Sequence, residues 1–515
     1  MKSSSALVGL AATAALTTVV YAKQHLDVSH EPLSGFFTAD GTPSHPKFLA
    51  SRWETSELPL DFRKRALSGA GSKRSQKTCR SNRGQQDANE HKPQHKGRHA
   101  LLDTLDHLGH QVSSWIEGGK LHDHSLGIVI NKATDNSADN EWLVNVGFGT
   151  RPQTLKMVFD SGSSDTWVYS PACCYANNHT FFDPARSSTY HNRTIGASGT
   201  PQAAAPGTPA QPWSYSYGSG SSSNGYVGID DWTFGVQKLK VNQLPVALAT
   251  SITGGSRASR GMEGLVGLSS GSGSSTQGGW TTPFEAMSSR GLLKETYLTA
   301  ALRKANRKTG KGGGGRYTFG EIDDDLLEGD ITWTRALSPY LWAGYFDQMT
   351  MGDKLLAIAP GTNERPQRFM IDTGSAVLYL PPPIVADINS QIVGSYIADS
   401  SSGLAFPYLI PCDTGLKRYE RKAKNVAFNL QIGGTNFTIP KEDYVFYANE
   451  PIPPAKIGGR KGMCYSAFQT GPAQISIIGL SFIKNHVVVL DQGGRNLTVS
   501  ARRIGLGQRR DVRYD

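Results

Sequence analysis

Met157-Val158-Phe159-Asp160-Ser161-Gly162 and Phe369-Met370-Ile371-Asp372-Thr373-Gly374 are the two stretches on which the reading of this 515-residue chain turns. In each, a short apolar run ends abruptly at Asp, hydroxyl, Gly. A small hydroxyl residue follows, and then the chain returns to apolar or aromatic residues, Thr166-Trp167-Val168 and Val377-Leu378-Tyr379. A buried strand that breaks in this way sets a carboxylate on a tight loop. The glycine permits the turn, and the Ser or Thr hydroxyl can fix the loop by hydrogen bonding. Two such loops facing each other bring two carboxylates to one water, which is general acid–base chemistry with a shared proton.

The tripeptide alone says little, because Asp-[Ser/Thr]-Gly arises by chance in roughly one chain of this length in five. A third copy, Asp413-Thr414-Gly415, follows Leu409-Ile410-Pro411-Cys412 and runs straight into Leu416-Lys417-Arg418-Tyr419-Glu420, so it reads as a solvated turn. Spacing separates the pair from this copy. Gly264-Leu265-Val266-Gly267-Leu268 lies downstream of Asp160, and Ile477-Ile478-Gly479-Leu480 downstream of Asp372. The offset from the aspartate to the second-element glycine is 107 residues in both cases, against 66 from Asp413. One spacing shared by two halves predicts an internal duplication, with one aspartate from each lobe.

Further segments follow in order. They are Trp142 to Phe148 with the turn Gly149-Thr150-Arg151-Pro152-Gln153, then Phe181-Phe182-Asp183-Pro184 and Ser187-Ser188-Thr189-Tyr190. Next come Tyr215-Ser216-Tyr217-Gly218-Ser219-Gly220, Gly320-Glu321-Ile322-Asp323 and Ile331-Thr332-Trp333. With the two aspartate loops, they make the chain resemble a pepsin-like (family A1) aspartic endopeptidase of fungal type, from about Glu141 to about Ala501. The resemblance implies a mostly β, bilobal acid-protease fold, two similar lobes with the active site in the cleft between them.

It also implies roles. Asp160 and Asp372 are the catalytic pair, supported by Ser161, Gly162 and Ser163 on one loop and Thr373, Gly374 and Ser375 on the other. Ser161 stands where the family more often has Thr, which keeps the hydroxyl. Tyr217, Gly218 and Ser219 correspond to the flap, and Trp167 to the indole that holds the flap tyrosine. Val158, Met262 and Leu265 would line an apolar pocket for the residue before the scissile bond. Cys412 and Cys464 lie where the second lobe usually has its disulfide. Cys173 and Cys174 are adjacent where the family often has a small disulfide loop, leaving a vicinal bond or two thiols as the options. No cofactor and no metal are implied, and Cys173-Cys174 with His179 lacks a usual zinc spacing.

Length calls for two lobes or domains. Short Val/Ile/Thr/Tyr runs between Gly, Ser, Asn and Asp turns predict mostly β structure. One helix is predicted from Pro283 to Arg290, stopped by Gly291. The N-terminus, with Lys2, an apolar stretch from Ala6 to Val20 and Tyr21-Ala22, reads as a secretory signal over residues 1–22. Residues 23–125 read as a propeptide, largely disordered and basic, with one amphipathic helix suggested around Leu101 to Trp115. Its dibasic pairs Lys64-Arg65 and Lys73-Arg74 are candidate sites for a processing convertase. An N-terminal lobe over 126–325, a C-terminal lobe over 326–505 and a charged tail over 506–515 complete the expected organisation. Ala197 to Pro212 and the basic Arg303 to Gly315 stretch read as surface insertions.

Four sequons, at Asn178, Asn192, Asn436 and Asn496, permit glycosylation in a secreted chain. The expected location is extracellular, with the vacuole as the alternative, and the expected state a monomer without a stable membrane anchor. The formal charge of +10 is partly local: residues 63–98 hold eleven Lys and Arg against Asp87 and Glu90. This stretch carries no nucleic-acid fold signature, so protein or peptide substrates are the expected partners. A binding-only relative would usually have lost an Asp or its Gly or hydroxyl neighbours, and a serine hydrolase would need a Gly-x-Ser-x-Gly elbow. Neither reading matches this chain.

Overall fold

The computed structural model describes residues 128–513 apart from 136–138, 140, 174–178, 196–200, 206, 218–221, 254–260, 275, 277–278, 306–312, 357–366, 405 and 447–450. The expected signal, the propeptide with its dibasic pairs, Gly218, Ser219, Cys174 and Asn178 lie outside the described residues.

The fold is built from β-strands with few helices, and the two halves repeat one local topology. In the first half, strand Gln153–Asp160 pairs in parallel with Gly264–Gly267, which pairs antiparallel with Trp167–Tyr169. That last strand runs parallel to Leu239–Thr253. In the second half, Gln367–Ile371 pairs in parallel with Ser476–Ile478, which pairs antiparallel with Leu378–Leu380. That strand in turn runs parallel to Phe468–Thr470. One face of each strand enters the main core, through Phe159 and Ile371, and the other a smaller cluster, through Val158 and Met370, which is why the runs ahead of the two aspartates are continuously apolar rather than alternating.

The halves are not separate sheets. Leu327–Arg335, Arg503–Arg509, Val487–Asp491, Tyr297–Arg303, Gly314–Phe319 and Val129–Asp135 lie side by side in that order, at one end of a 15-stranded sheet. Three of these strands come from each expected lobe. The sheet corrects one expectation. Residues from 506 onward do not begin a free tail, because Leu506 and Arg509 are buried and the Arg503–Arg509 strand pairs on both edges. Arg509 donates to the carbonyls of Leu302 and Lys484, and those bonds hold the strand inside.

Helix Pro283–Ser289 falls where the sequence places it. Thr282 caps its first turn, the Glu285 side chain answers to the Thr282 backbone, and Pro283 occupies a first-turn position that needs no N–H. Part of the expected Ala197–Pro212 surface loop is instead strand, Pro201–Ala203 against His191–Ile195. One continuous core joins the halves. In it Phe159 packs on Tyr317 at 5.1 Å between ring centres, and Phe284 packs on both Phe319 and Trp342.

Candidate active site

Each aspartate is delivered by the end of its strand. Gly267 lies opposite Asp160 on the neighbouring strand, and a Cβ there would lie 2.3 Å from the backbone carbon of Ser164. Gly479 is its counterpart, where a Cβ would lie 2.2 Å from the Val377 carbonyl oxygen. The shared 107-residue spacing therefore marks the glycine that lets each loop fold down onto its neighbouring strand.

The two loops clasp each other. The Ser161 amide donates to Thr373 Oγ1 at 2.9 Å, and the Thr373 amide donates to Ser161 Oγ at 3.0 Å. Each hydroxyl then donates across to a carbonyl at the end of the opposite strand, Ser161 to Ile371 at 3.0 Å and Thr373 to Phe159 at 2.6 Å. All four bonds are buried, so each loop is held by the other half of the molecule. Serine in place of threonine at 161 completes the same pattern.

The carboxylates are held alike. Asp160 accepts from the Gly162 amide at 2.9 Å and from Ser163 Oγ at 2.5 Å. Asp372 accepts from the Gly374 amide at 2.8 Å and from Ser375 Oγ at 2.6 Å. Each carboxyl group lies beside the glycine of the other loop, Asp160 beside Gly374 and Asp372 beside Gly162. Burial, and then the charge of Asp160, raise the pKa of Asp372 well above the usual aspartate range, outweighing the lowering by Ser375. A pair of this kind shares one proton and titrates in two macroscopic steps. Asp413 differs in every respect: it is exposed, in a turn closed by the Leu416 amide bonding to its carbonyl.

Beside Asp160 stands an apolar cluster. Val158, Met262 and Leu265 pack with the buried Trp167 and Tyr215, and the half-buried Tyr217 rests against them. Trp167 Nε1 donates to the Tyr217 hydroxyl at 2.6 Å. A matching cluster beside Asp372 joins Met370, Ile477 and Ala343 to the partly buried Leu341 and Tyr379.

A model of the eukaryotic aspartyl protease family matches residues 141–502. The chain belongs to that family. It is 29% identical over 380 residues to rhizopuspepsin of Rhizopus chinensis, which covers 73% of this chain and 81% of that protein. It is 30% identical over 368 residues to rhizopuspepsin-4 of Rhizopus niveus, covering 70% and 76%. Against pepsin A of Bos taurus it is 26% identical over 404 residues, covering 74% and 94%.

This aspartic endopeptidase has the disulfide that the resemblance implied, Cys412–Cys464. Cys173 is buried in the cluster with Trp167 and Tyr169. Of the sequons, Asn436 and Asn496 are exposed. Asn192 is half-buried, and its side chain bonds to Thr208 and Tyr190. No helix among the described residues is long and apolar enough to cross a membrane.

Two features escaped the sequence reading. Met370 and Ile477 occupy in the second half the places of Val158 and Leu265 in the first, and each pair is again 107 residues apart. Applying the spacing to neighbouring positions would have found them. The buried Asp165 accepts from Trp213 Nε1 at 2.9 Å, tying the loop after Asp160 to strand Gln211–Ser216, which leads into Tyr217. Nothing in the spacing announced that bond.

Proposed function

We propose that Asp160 and Asp372 hydrolyse peptide bonds by activating one water between them, with an acid optimum. The observation that carries this reading is two buried carboxyl groups, each beside the glycine of the other's loop, on loops that clasp each other. Asp372, with its raised proton affinity, carries the shared proton, and Asp160 is the base. Asp160 takes a proton from water as the water oxygen attacks the peptide carbonyl carbon. Asp372 donates to the carbonyl oxygen, giving a tetrahedral diol. The C–N bond then breaks as the nitrogen takes the proton from Asp160, while one diol hydroxyl gives its proton to Asp372 as the new carbonyl forms, which restores the starting dyad. Ser163 and Ser375 hold the outer carboxylate oxygens.

The flap acts through Tyr217, with Gly218 and Ser219 next to it in sequence, and Trp167 fixes the Tyr217 hydroxyl. The clusters around Leu265 and Ile477 favour apolar residues on both sides of the scissile bond. The protein is made as a secreted zymogen, its first 22 residues removed as a signal and residues 23–125 removed as a propeptide by cleavage that includes Lys64-Arg65 or Lys73-Arg74. It acts as a monomer outside the cell, glycosylated at its sequons; delivery to the vacuole is the alternative. N-terminal sequencing of the secreted protein after acidification, with hydrolysis of a denatured protein followed alongside, tests processing and activity together. Inhibition by a statine-type mimic of the tetrahedral state is expected. Inhibition by a serine-directed phosphonate instead would overturn the dyad.

A further inference from the structure

Eight large apolar side chains stand exposed among the described residues, and five of them fall in one region: Leu355, Val393, Ile397, Leu416 and Val426. Specific contacts bring the segments that carry them together. The Val393 amide donates to Asn425 Oδ1 at 3.0 Å, next to Val426, and the Tyr419 hydroxyl donates to the Val393 carbonyl. A Cβ on Gly352, in the hairpin turn before Leu355, would lie 3.2 Å from the Val426 side chain. Ile397 ends the short strand Tyr396–Ile397, which pairs with Tyr408–Pro411 just before Cys412. Single exposed aliphatics are ordinary on a soluble surface, but a cluster of five marks an interaction site.

The same region is strongly basic. Helix Lys417–Ala423 exposes Lys417, Arg418, Arg421 and Lys422, and Lys424 at its C-cap is exposed as well. Glu420, in the middle of this run, is turned toward the protein and accepts from the Gly415 amide at 2.7 Å and from Asn425 Nδ2 at 3.1 Å. The Cys412–Cys464 disulfide and the bond from the Cys412 amide to the Gly462 carbonyl bring a second basic loop alongside. That loop exposes Lys456, Arg460 and Lys461, with the Arg460 guanidinium 4.3 Å over the Tyr396 ring. Against these eight cations stand Glu420 and the exposed Asp353, Asp399 and Asp413; Asp399 caps its own turn through the Ser401 amide, and the neighbouring Asp387 and Glu442 are paired with Lys354 and Lys304.

A soluble polyanion would use the cations and leave the aliphatics in water. A nucleic acid would call for aromatic platforms rather than Val, Ile and Leu. A bilayer with anionic headgroups uses both sets of groups, the phosphates taking Lys and Arg while the aliphatics enter the acyl boundary. We propose that this protease docks on anionic phospholipid membranes through the second-half surface formed by Leu355, Val393, Ile397, Leu416 and Val426, with the cations of 417–424 and 456–461.

Flotation of the full chain with vesicles tests this, using phosphatidylcholine alone against phosphatidylcholine with about three parts in ten phosphatidylserine. Dextran sulfate beads serve as a polyanion without a bilayer. The full chain is used throughout, so the basic 63–98 stretch is common to every arm. The wild-type chain should float with the anionic vesicles and be released by high salt. Reversal by Arg421→Glu with Lys422→Glu should weaken that binding by at least about tenfold. Val393→Ser with Ile397→Ser should weaken vesicle binding and leave retention on dextran sulfate unchanged. Hydrolysis of a soluble peptide at the parental rate after acid activation of each preparation certifies that each variant is folded. Equal binding to neutral vesicles, no effect of the charge reversal, or no effect of the serine pair on vesicles would each overturn the proposal. The last result would assign the surface to polyanions instead.

Discussion

The Cβ that Gly162 lacks would lie 2.5 Å from the carboxylate carbon of Asp372, and the Cβ that Gly374 lacks would lie 2.5 Å from that of Asp160. Each glycine thus leaves room for the aspartate of the other half, and the tripeptide's third position is fixed by a contact made across the molecule. Gly162→Ala and Gly374→Ala should each push the opposite carboxylate aside. A displacement of that size at reacting groups costs about a hundredfold in turnover. Steady-state kinetics should show the loss in kcat more than in KM, with thermal melting reporting that the fold survives. Parental kcat in either alanine variant would mean that the carboxylates are not held by this contact.

Asp160→Asn and Asp372→Asn should each abolish nearly all turnover, because an amide can neither accept the water's proton nor share one with its partner. Asp413→Asn should leave activity intact, since Asp413 sits in an exposed turn. Melting curves guard against confusing lost chemistry with lost structure. A dead Asp413→Asn beside an active Asp372→Asn would reverse the assignment.

The proton shared by the dyad also links stability to pH. The folded-state pKa of Asp372 is raised above its unfolded value, so the folded protein binds a proton more tightly than the unfolded chain does. Its contribution is complete below about pH 4, the unfolded aspartate value, and is lost as pH rises toward the raised folded value. The melting temperature of the parent should therefore fall as pH climbs above about 4, by at most about 1.4 kcal/mol of stability per pH unit from this group. Asp372→Asn should flatten that slope. An equally steep fall in the variant would place the linkage elsewhere.

Trp167→Phe keeps an aromatic ring in the buried cluster but removes the donor to the Tyr217 hydroxyl. One such bond contributes about 0.5–1.5 kcal/mol net. The expected result is a roughly three- to tenfold drop in kcat/KM with a small change in melting temperature. If the flap tyrosine is positioned by packing alone, kcat/KM will not move.

Thr373→Val takes the clasp apart from one side. It removes the acceptor of the Ser161 amide and the donor to the Phe159 carbonyl while keeping the side-chain volume. Two buried polar groups lose their partner, at about 1–3 kcal/mol each. A melting temperature lowered by several degrees should result, accompanied by a loss of activity. Serine at 373 should restore both.

The chemistry was legible in the sequence because it rests on short local patterns. Asp160, Ser161 and Gly162 announce a loop, Thr282 and Glu285 announce a helix start, and the 107-residue repeat pairs the two halves. What the pattern did not carry was partnership between distant strands. Nothing local in Arg503 to Arg509 says that it will lie between Leu327–Arg335 and Val487–Asp491, so the residues from 506 onward read as a charged tail. Arg509 is buried against carbonyls that only the finished sheet brings together. The Trp213–Asp165 bond was missed for the same reason, since an Asp after two serines has no signature of burial.

The interleaved sheet sets an order in time. Tyr297–Arg303 cannot be paired on both edges by its own half, because one of its two neighbours is Val487–Asp491. During synthesis the first half must therefore wait, its Tyr297–Arg303 edge open, until more than 180 further residues have left the ribosome. The nascent chain spends that interval with an unpaired strand edge. An open edge of this kind is prone to pair with other chains, so folding of the first half is coupled to synthesis of the second.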